Sequence, residues 1–155
     1  MSSITNFKKI RRDGKVIDES MTAAQMISLG WNPEKVIKLT WDADGGRLTL
    51  KDKHGLLAVV VPNRRAIAVL KENDDSGSDS SLVILDANGG EKFRVNNKVM
   101  VGENEESGTF CWFEPSRDSS LDCIGVAFRL DRDQSMVQVD IDSSTGDFVG
   151  IYRTR

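Results

Sequence analysis

Met136-Val-Gln-Val-Asp-Ile-Asp142 is followed by Ser143-Ser-Thr-Gly146 and then by Phe148-Val-Gly-Ile-Tyr152, so an alternating apolar and polar segment meets a Gly-containing interval and alternates back. A period of two sends successive side chains to opposite faces of a strand, and the interval between is a hairpin turn. The same grammar recurs toward the N-terminus. Val36-Ile-Lys-Leu-Thr-Trp41 alternates, Asp42-Ala-Asp-Gly-Gly46 turns, and Leu48-Thr-Leu50 returns; Phe7–Ile10 and Val16-Ile17 flank Asp13-Gly14, a dipeptide suited to the positive φ of a tight turn. Leu82-Val-Ile-Leu85, the turn Asp86-Ala-Asn-Gly-Gly90 and Lys92-Phe-Arg-Val95 form another such unit.

Two runs differ in texture. Leu56-Leu-Ala-Val-Val-Val61 and Ala66-Ile-Ala-Val-Leu70 are almost continuously apolar, which marks strands covered on both faces and places this pair at the centre of the sheet system. Lys51-Asp-Lys-His-Gly55 before them reads as a turn. Thr109–Phe113 and Leu121–Phe128 bracket Pro115–Ser120, and a hairpin about that loop would bring Cys111 and Cys123 within about one residue of facing each other.

One helix is expected, over residues 23–29. Thr22-Ala-Ala-Gln25 fits a capping box, Met21 and Met26 stand where a hydrophobic staple would put them, and Gly30 supplies a left-handed stop. The fold class that follows is mainly β, with α+β as the variant: antiparallel hairpins in a sandwich or a partly closed barrel, with this short N-terminal helix at one edge. The 155 residues suit a single domain, and the polar stretch 73–81 is expected to be a mobile loop.

Asp42, Asp86 and Asp142 each end a strand before a Gly-containing turn. The three are read as independently chosen hairpin turns, not as a propeller repeat, and their spacing lacks the sixth-position Gly and twelfth-position Glu of an EF-hand loop.

Composition narrows function by class. Apolar residues make up 39% and charged residues 29% of the chain, an ordinary globular balance. No apolar run approaches the roughly 18 residues of a membrane span and no export signal is evident, so a cytoplasmic protein without membrane association is expected. Two separated cysteines and one histidine, His54, make neither a disulfide scaffold nor a usual zinc set. Neither a phosphate-binding loop nor a Gly-x-Ser-x-Gly elbow occurs. No catalytic residue, metal or cofactor is assigned, and a non-enzymatic role is expected.

Charge is unevenly divided. Residues 1–71 carry 13 Lys or Arg against 7 Asp or Glu, a net of +6, whereas residues 72–155 net −9 within an overall −3. The basic cluster Lys8, Lys9, Arg11, Arg12 and Lys15 is read as a charged edge hairpin that resists aggregation, in preference to a nucleic-acid footprint. An acidic half suits a basic protein partner. Of the three tryptophans, Trp41 shares a face with Leu39 and Ile37 and is assigned to the core, Trp31 covers the helix end, and Trp112 is the candidate interface aromatic.

Size, hairpin texture and the acidic runs Glu103-Asn-Glu-Glu106 and Asp131-Arg-Asp133 give the chain a general resemblance to the small acidic β-rich immunity proteins that bacteria make against contact-dependent or secreted toxins. That resemblance implies a module that covers the active site of a basic, nuclease-like toxin. The expected contact residues are Glu103, Glu105, Glu106, Asp131, Asp133 and Trp112. Two other readings stay open: a structural or self-assembling β-protein, and an enzyme with an unfamiliar site near His54.

Overall fold

The alternation quoted first forms the C-terminal hairpin. A computed structural model describes residues 3–22, 24–25, 35–71 and 81–153, and strands account for most of them. In chain order they are β1 (Thr5–Arg11), β2 (Val16–Asp18), β3 (Val36–Ala43), β4 (Gly46–Val60), β5 (Ala66–Lys71), β6 (Ser81–Asp86), β7 (Glu91–Val95), β8 (Lys98–Val101), β9 (Asn104–Glu114), β10 (Cys123–Leu130), β11 (Met136–Asp142) and β12 (Phe148–Arg153). All pairings are antiparallel. A seven-stranded sheet runs β2-β1-β3-β4-β5-β6-β7 and a five-stranded sheet runs β12-β11-β10-β9-β8.

Turn chemistry fixes the hairpins locally. Between β3 and β4, Asp44 and Gly45 both have positive φ, 51° and 75°, and Ala43 pairs with Gly46 across this two-residue turn. This is the mirror-image geometry that matches strand twist, and Asp-Gly supplies it at little steric cost. Asp86 accepts from the N–H groups of Asn88 and Gly90, and Asp142 from that of Ser144, so three similar sequences make turns of different length in two different sheets.

The first sheet curls round its own interior into a nearly closed barrel. Ile4, Phe7, Leu39, Trp41, Leu56, Ala58, Ile67, Val69, Val83 and Leu85, drawn from β1 and β3 to β6 and their flanks, make up that interior. Two ties hold it shut. Trp41 Nε1 donates to Ala87 O at 2.8 Å, which satisfies the one polar atom of a side chain only 1% exposed. Ile4 N–H donates to Arg64 O, and the Arg64 guanidinium donates to Ile4 O, joining the start of β1 to the β4–β5 turn.

The opposite face of β5 and β6 packs on the five-stranded sheet. Ala68, Leu70, Leu82 and Ile84 meet Phe110, Val126, Phe128, Val139 and Ile141, with Phe110 and Phe128 edge to face at 5.0 Å. The continuous apolar run 66–70 is therefore covered on both faces, as its composition requires. Each such Val, Leu or Ile stabilises the fold by roughly 1.5–3 kcal/mol through burial.

Three expectations change. Residues 51–55 are no turn: β4 runs unbroken from Gly46 to Val60, and a bulge sets Val36 opposite Leu56 but Lys38 opposite Lys51. Gly55, at φ 112°, lets the strand pass from its β3 pairing to its β5 pairing. Cys111 and Cys123 do not face each other. Gly125 pairs with Glu114 and Phe128 with Phe110, which puts Cys111 at a bulge opposite Ala127 and Phe128, and both thiols are free. No helix stands among the described elements. The Thr22–Gln25 capping box is formed, with Thr22 N–H on Gln25 Oε1 and Gln25 N–H on Thr22 Oγ1, and Ala24 and Gln25 are helical, but 23 and 26–29 of the expected helix lie outside the described residues. So do Trp31 and 73–80 of the expected mobile loop. Among the described residues no helix is long and apolar enough to cross a membrane.

Candidate protein-binding face

Register decides which side chains share a surface, because residues directly opposite in an antiparallel pair project to the same face. The inner face of the five-stranded sheet is spent on the core. Its outer face carries, in successive rows, Glu114, Gly125, Asp140 and Gly150; then Trp112, Ala127, Gln138 and Tyr152; then Thr109 and Arg129; then Lys98 with Ser107; and finally Met100 with Glu105. Trp112 is 49% and Met100 54% exposed. Tyr, Trp, Met and Arg are the types enriched where proteins dock, and this one face presents all four.

The aromatic residues are held in place. Trp112 Nε1 donates to Glu114 Oε1 at 2.9 Å, two residues along the same strand face. Tyr152 lies over Gly150, where a Cβ would come within 2.5 Å of the phenolic oxygen, so a larger residue there would displace the ring. Arg117 stacks above Tyr152 with its guanidinium carbon 5.0 Å from the ring centroid.

The loop that delivers Arg117, residues 115–122, is clamped to the sheet by a carboxylate with no solvent exposure. Asp140 Oδ2 accepts from Ser116 Oγ (3.0 Å), Arg117 N–H (2.9 Å) and Asp118 N–H (2.9 Å), while Oδ1 accepts from Gln138 Nε2 (3.1 Å). Gln138 Nε2 also donates to Pro115 O. Gly125 lets the loop approach, since a Cβ there would sit 2.7 Å from Glu114 O and 3.0 Å from Pro115 O. The far end of the loop is tied as well: Asn63 N–H donates to Leu121 O, and Ser143 N–H to Asp122 O. Leu121 itself is left 65% exposed.

The residues singled out by sequence fall into two groups. Glu105 and Trp112 lie on the outer face, and Asp131 joins it at the β10–β11 turn, where Ser107 Oγ donates to its Oδ2 at 2.8 Å. Glu103 is in the β8–β9 turn beside Gly102. Glu106 has the opposite parity: its side chain is 11% exposed and pairs with Arg132, which also reaches Asp133. Hydrogen bonds from the Ser135 hydroxyl and N–H, more than Arg132, hold the Asp133 carboxyl below the usual range. The acidic runs are therefore partly neutralised from within, and the face is mixed in charge.

Sequence reading missed Asp140, Arg117, Tyr152 and Met100. Asp140 sits in strict alternation between Gln138 and Asp142, where a solvated carboxylate is the natural expectation. The signal that marks it is cross-strand and not local: glycines at 125 and 150, its two pairing partners, leave room for something to lie over it.

His54 lies within β4, and the polar contacts formed there are backbone ones: its N–H donates to Asp52 Oδ1, and Lys35 Nζ donates to its carbonyl. Burial, with Asp118 and Asp142 nearby, pushes the Cys123 thiol up and keeps it protonated. Among the described residues no group of three or more His, Cys, Asp or Glu is arranged to hold a metal. The basic cluster does not present itself as one footprint either. Lys9 lines a cavity walled by Phe7 and Ala58, and Arg11 is 5% exposed and paired to Asp13 at 2.6 Å.

The fold is thus two antiparallel sheets, the second of which exposes an aromatic outer face. No protein-family model matches the sequence, and no curated protein matches it. Among solved structures the chain is similar to a chain of the structure of Tne2 in complex with Tni2, at 39% identity and a TM-score of 0.90, covering 98% of this chain and 99% of that one. With that identity over nearly the whole of both chains, the protein belongs to the family of that chain.

Proposed function

We propose that the protein is an immunity protein: it binds a cognate toxin and neutralises it, with the outer face of the five-stranded sheet as the contact surface. The observation that carries this reading is the kinship, over almost the full length, with a member of a two-protein complex. The character of the face supports it. Trp112 and Met100 are exposed on a sheet whose aromatic and Arg side chains are already held in position, which lowers the ordering cost of binding.

Trp112 is the expected energetic centre, with Glu103, Glu105 and Asp131 steering a basic partner surface while Glu106 and Asp133 brace Arg132. A nuclease-like toxin is the partner class that the acidic balance of residues 72–155 favours. Truncating a buried interface tryptophan costs on the order of 2 kcal/mol or more, about a 30-fold loss of affinity.

The test is coexpression with the protein encoded beside it, followed by titration calorimetry of the purified pair. The expected result is rescue of growth by this chain, rescue weakened by Trp112→Ala, and association slowed by added salt. Toxicity of this chain by itself, relieved by the neighbour, would reverse the roles and overturn the proposal.

A further inference from the structure

At the seam of the barrel, where β1 and β2 come opposite the end of β4, lies a cavity of about 200 Å³. Phe7, Ile17, Ala58, Val59 and Val60 make its walls apolar. Lys9 lines it from the middle of β1, where its backbone is paired on one side with Ile17 and on the other with Leu39, and Glu19 and Arg64 complete the lining. The Lys9 side chain is partly buried there.

Every carboxylate on the elements around it is engaged elsewhere. Glu19, at the rim, receives two hydrogen bonds from Arg64 at 2.7 and 2.8 Å and a further one from Phe7 N–H. Asp18 receives Ser20 through both its N–H and its hydroxyl. Asp13 is taken by Arg11, whose own Nε is buried without a hydrogen-bond partner. The part of β4 that walls the cavity brings no charged side chain, and Arg64 at the β4–β5 turn adds a second cation. Among the described residues Lys9 Nζ has neither an ion-pair nor a hydrogen-bond partner. Burial accordingly holds its ammonium below the ordinary lysine value.

A partly desolvated cation without a partner is stabilised by an anion that brings its own apolar surface to the same groove. We infer that this seam is a binding site for a small monocarboxylate with a short alkyl or aryl tail, its carboxylate on Lys9 and its tail against Ile17, Ala58 and Val60. The cavity admits only a handful of non-hydrogen atoms beyond the carboxylate. The site is separate from the sheet face proposed for toxin binding, so either can fail without the other.

The experiment is amide NMR titration of the full chain with sodium butyrate and sodium benzoate, with n-butanol as the neutral control. Saturable shifts at Ile17, Val59 and Val60 are expected, with a Kd on the order of 1 mM for so small a ligand. Lys9→Met keeps the apolar stem and removes the charge. It is expected to weaken binding at least tenfold, and n-butanol is expected to bind at least tenfold more weakly than butyrate. Absence of saturable shifts, or equal binding by the Lys9→Met variant, would overturn the inference. So would a Lys9→Met variant that impairs only the complex with the protein partner, because the carboxylate would then be a side chain of that partner.

Discussion

Replacing Asp140 by Ala tests whether the β9–β10 loop is held from beneath. The carboxylate has no exposure and accepts four hydrogen bonds, from Ser116 Oγ, Arg117 N–H, Asp118 N–H and Gln138 Nε2. Hydrogen bonds to a charged group are each worth roughly 1.5–3 kcal/mol, but these share one acceptor group and are not additive. Ser116, Arg117 and Asp118 regain water when the loop lifts, whereas Gln138 stays buried with a weakened network. The net cost of Asp140→Ala is therefore about 3 kcal/mol, which for a domain of this size lowers Tm by roughly 6–12 °C. Asp140→Asn keeps the shape and one acceptor oxygen, and should lose less. Urea unfolding gives the free energies, and amide hydrogen exchange at Arg117 and Asp118 reports the loop. A loss below about 1 kcal/mol with both amides still protected would refute the clamp.

The remaining predictions concern charge, thiols and packing. Asp18, Glu19, Asp42, Asp133 and Asp142 all have carboxyls held below their ordinary values by hydrogen bonds. Their contribution is fully present above the unfolded-state values of about 4 and is lost as pH falls through the lower folded-state ones. Urea midpoints should thus fall steadily below about pH 4, and Glu19→Gln, which removes one of these groups, should shallow that slope. Cys111 should react with a thiol reagent well before Cys123, which is 3% exposed with its thiol pushed up; equal rates in the native protein would contradict the placement. Gly108→Ala would set a Cβ 2.3 Å from Arg129 O and 2.5 Å from the Phe128 ring, so it should cost about 2–3 kcal/mol in urea unfolding. A neutral result there would mean that β9 and β10 lie farther apart.

The face proposed for binding is built on a sheet and a clamped loop, so its geometry is fixed before a partner arrives, and substitutions that free the loop should speed dissociation more than they slow association.

Hairpins were legible because their causes are local. Asp44-Gly45 readily adopts the positive φ of a two-residue hairpin turn, Met136–Tyr152 alternates too regularly for a helix, and Ala66–Leu70 has no polar face to leave in water. Trp41 in the core and Trp112 outside followed from the same period of two. What escaped the sequence depends on partners distant along the chain. Lys51–Gly55 has the composition of a turn, yet β4 continues through it because β3 pairs with one half of the strand and β5 with the other. Cys111 and Cys123 stand apart because the hairpin closes with Gly125 opposite Glu114, a register that sets Cys111 against Ala127 and Phe128. Asp140 looks solvated until a loop twenty-odd residues away folds over its glycine neighbours, and Lys9 turns inward because the first sheet closes on itself. Local backbone preference and side-chain period thus determined the strands and most of their turns, whereas register, curvature and the burial of individual charges were decided by the tertiary structure, since only the assembled sheets set which groups lose water.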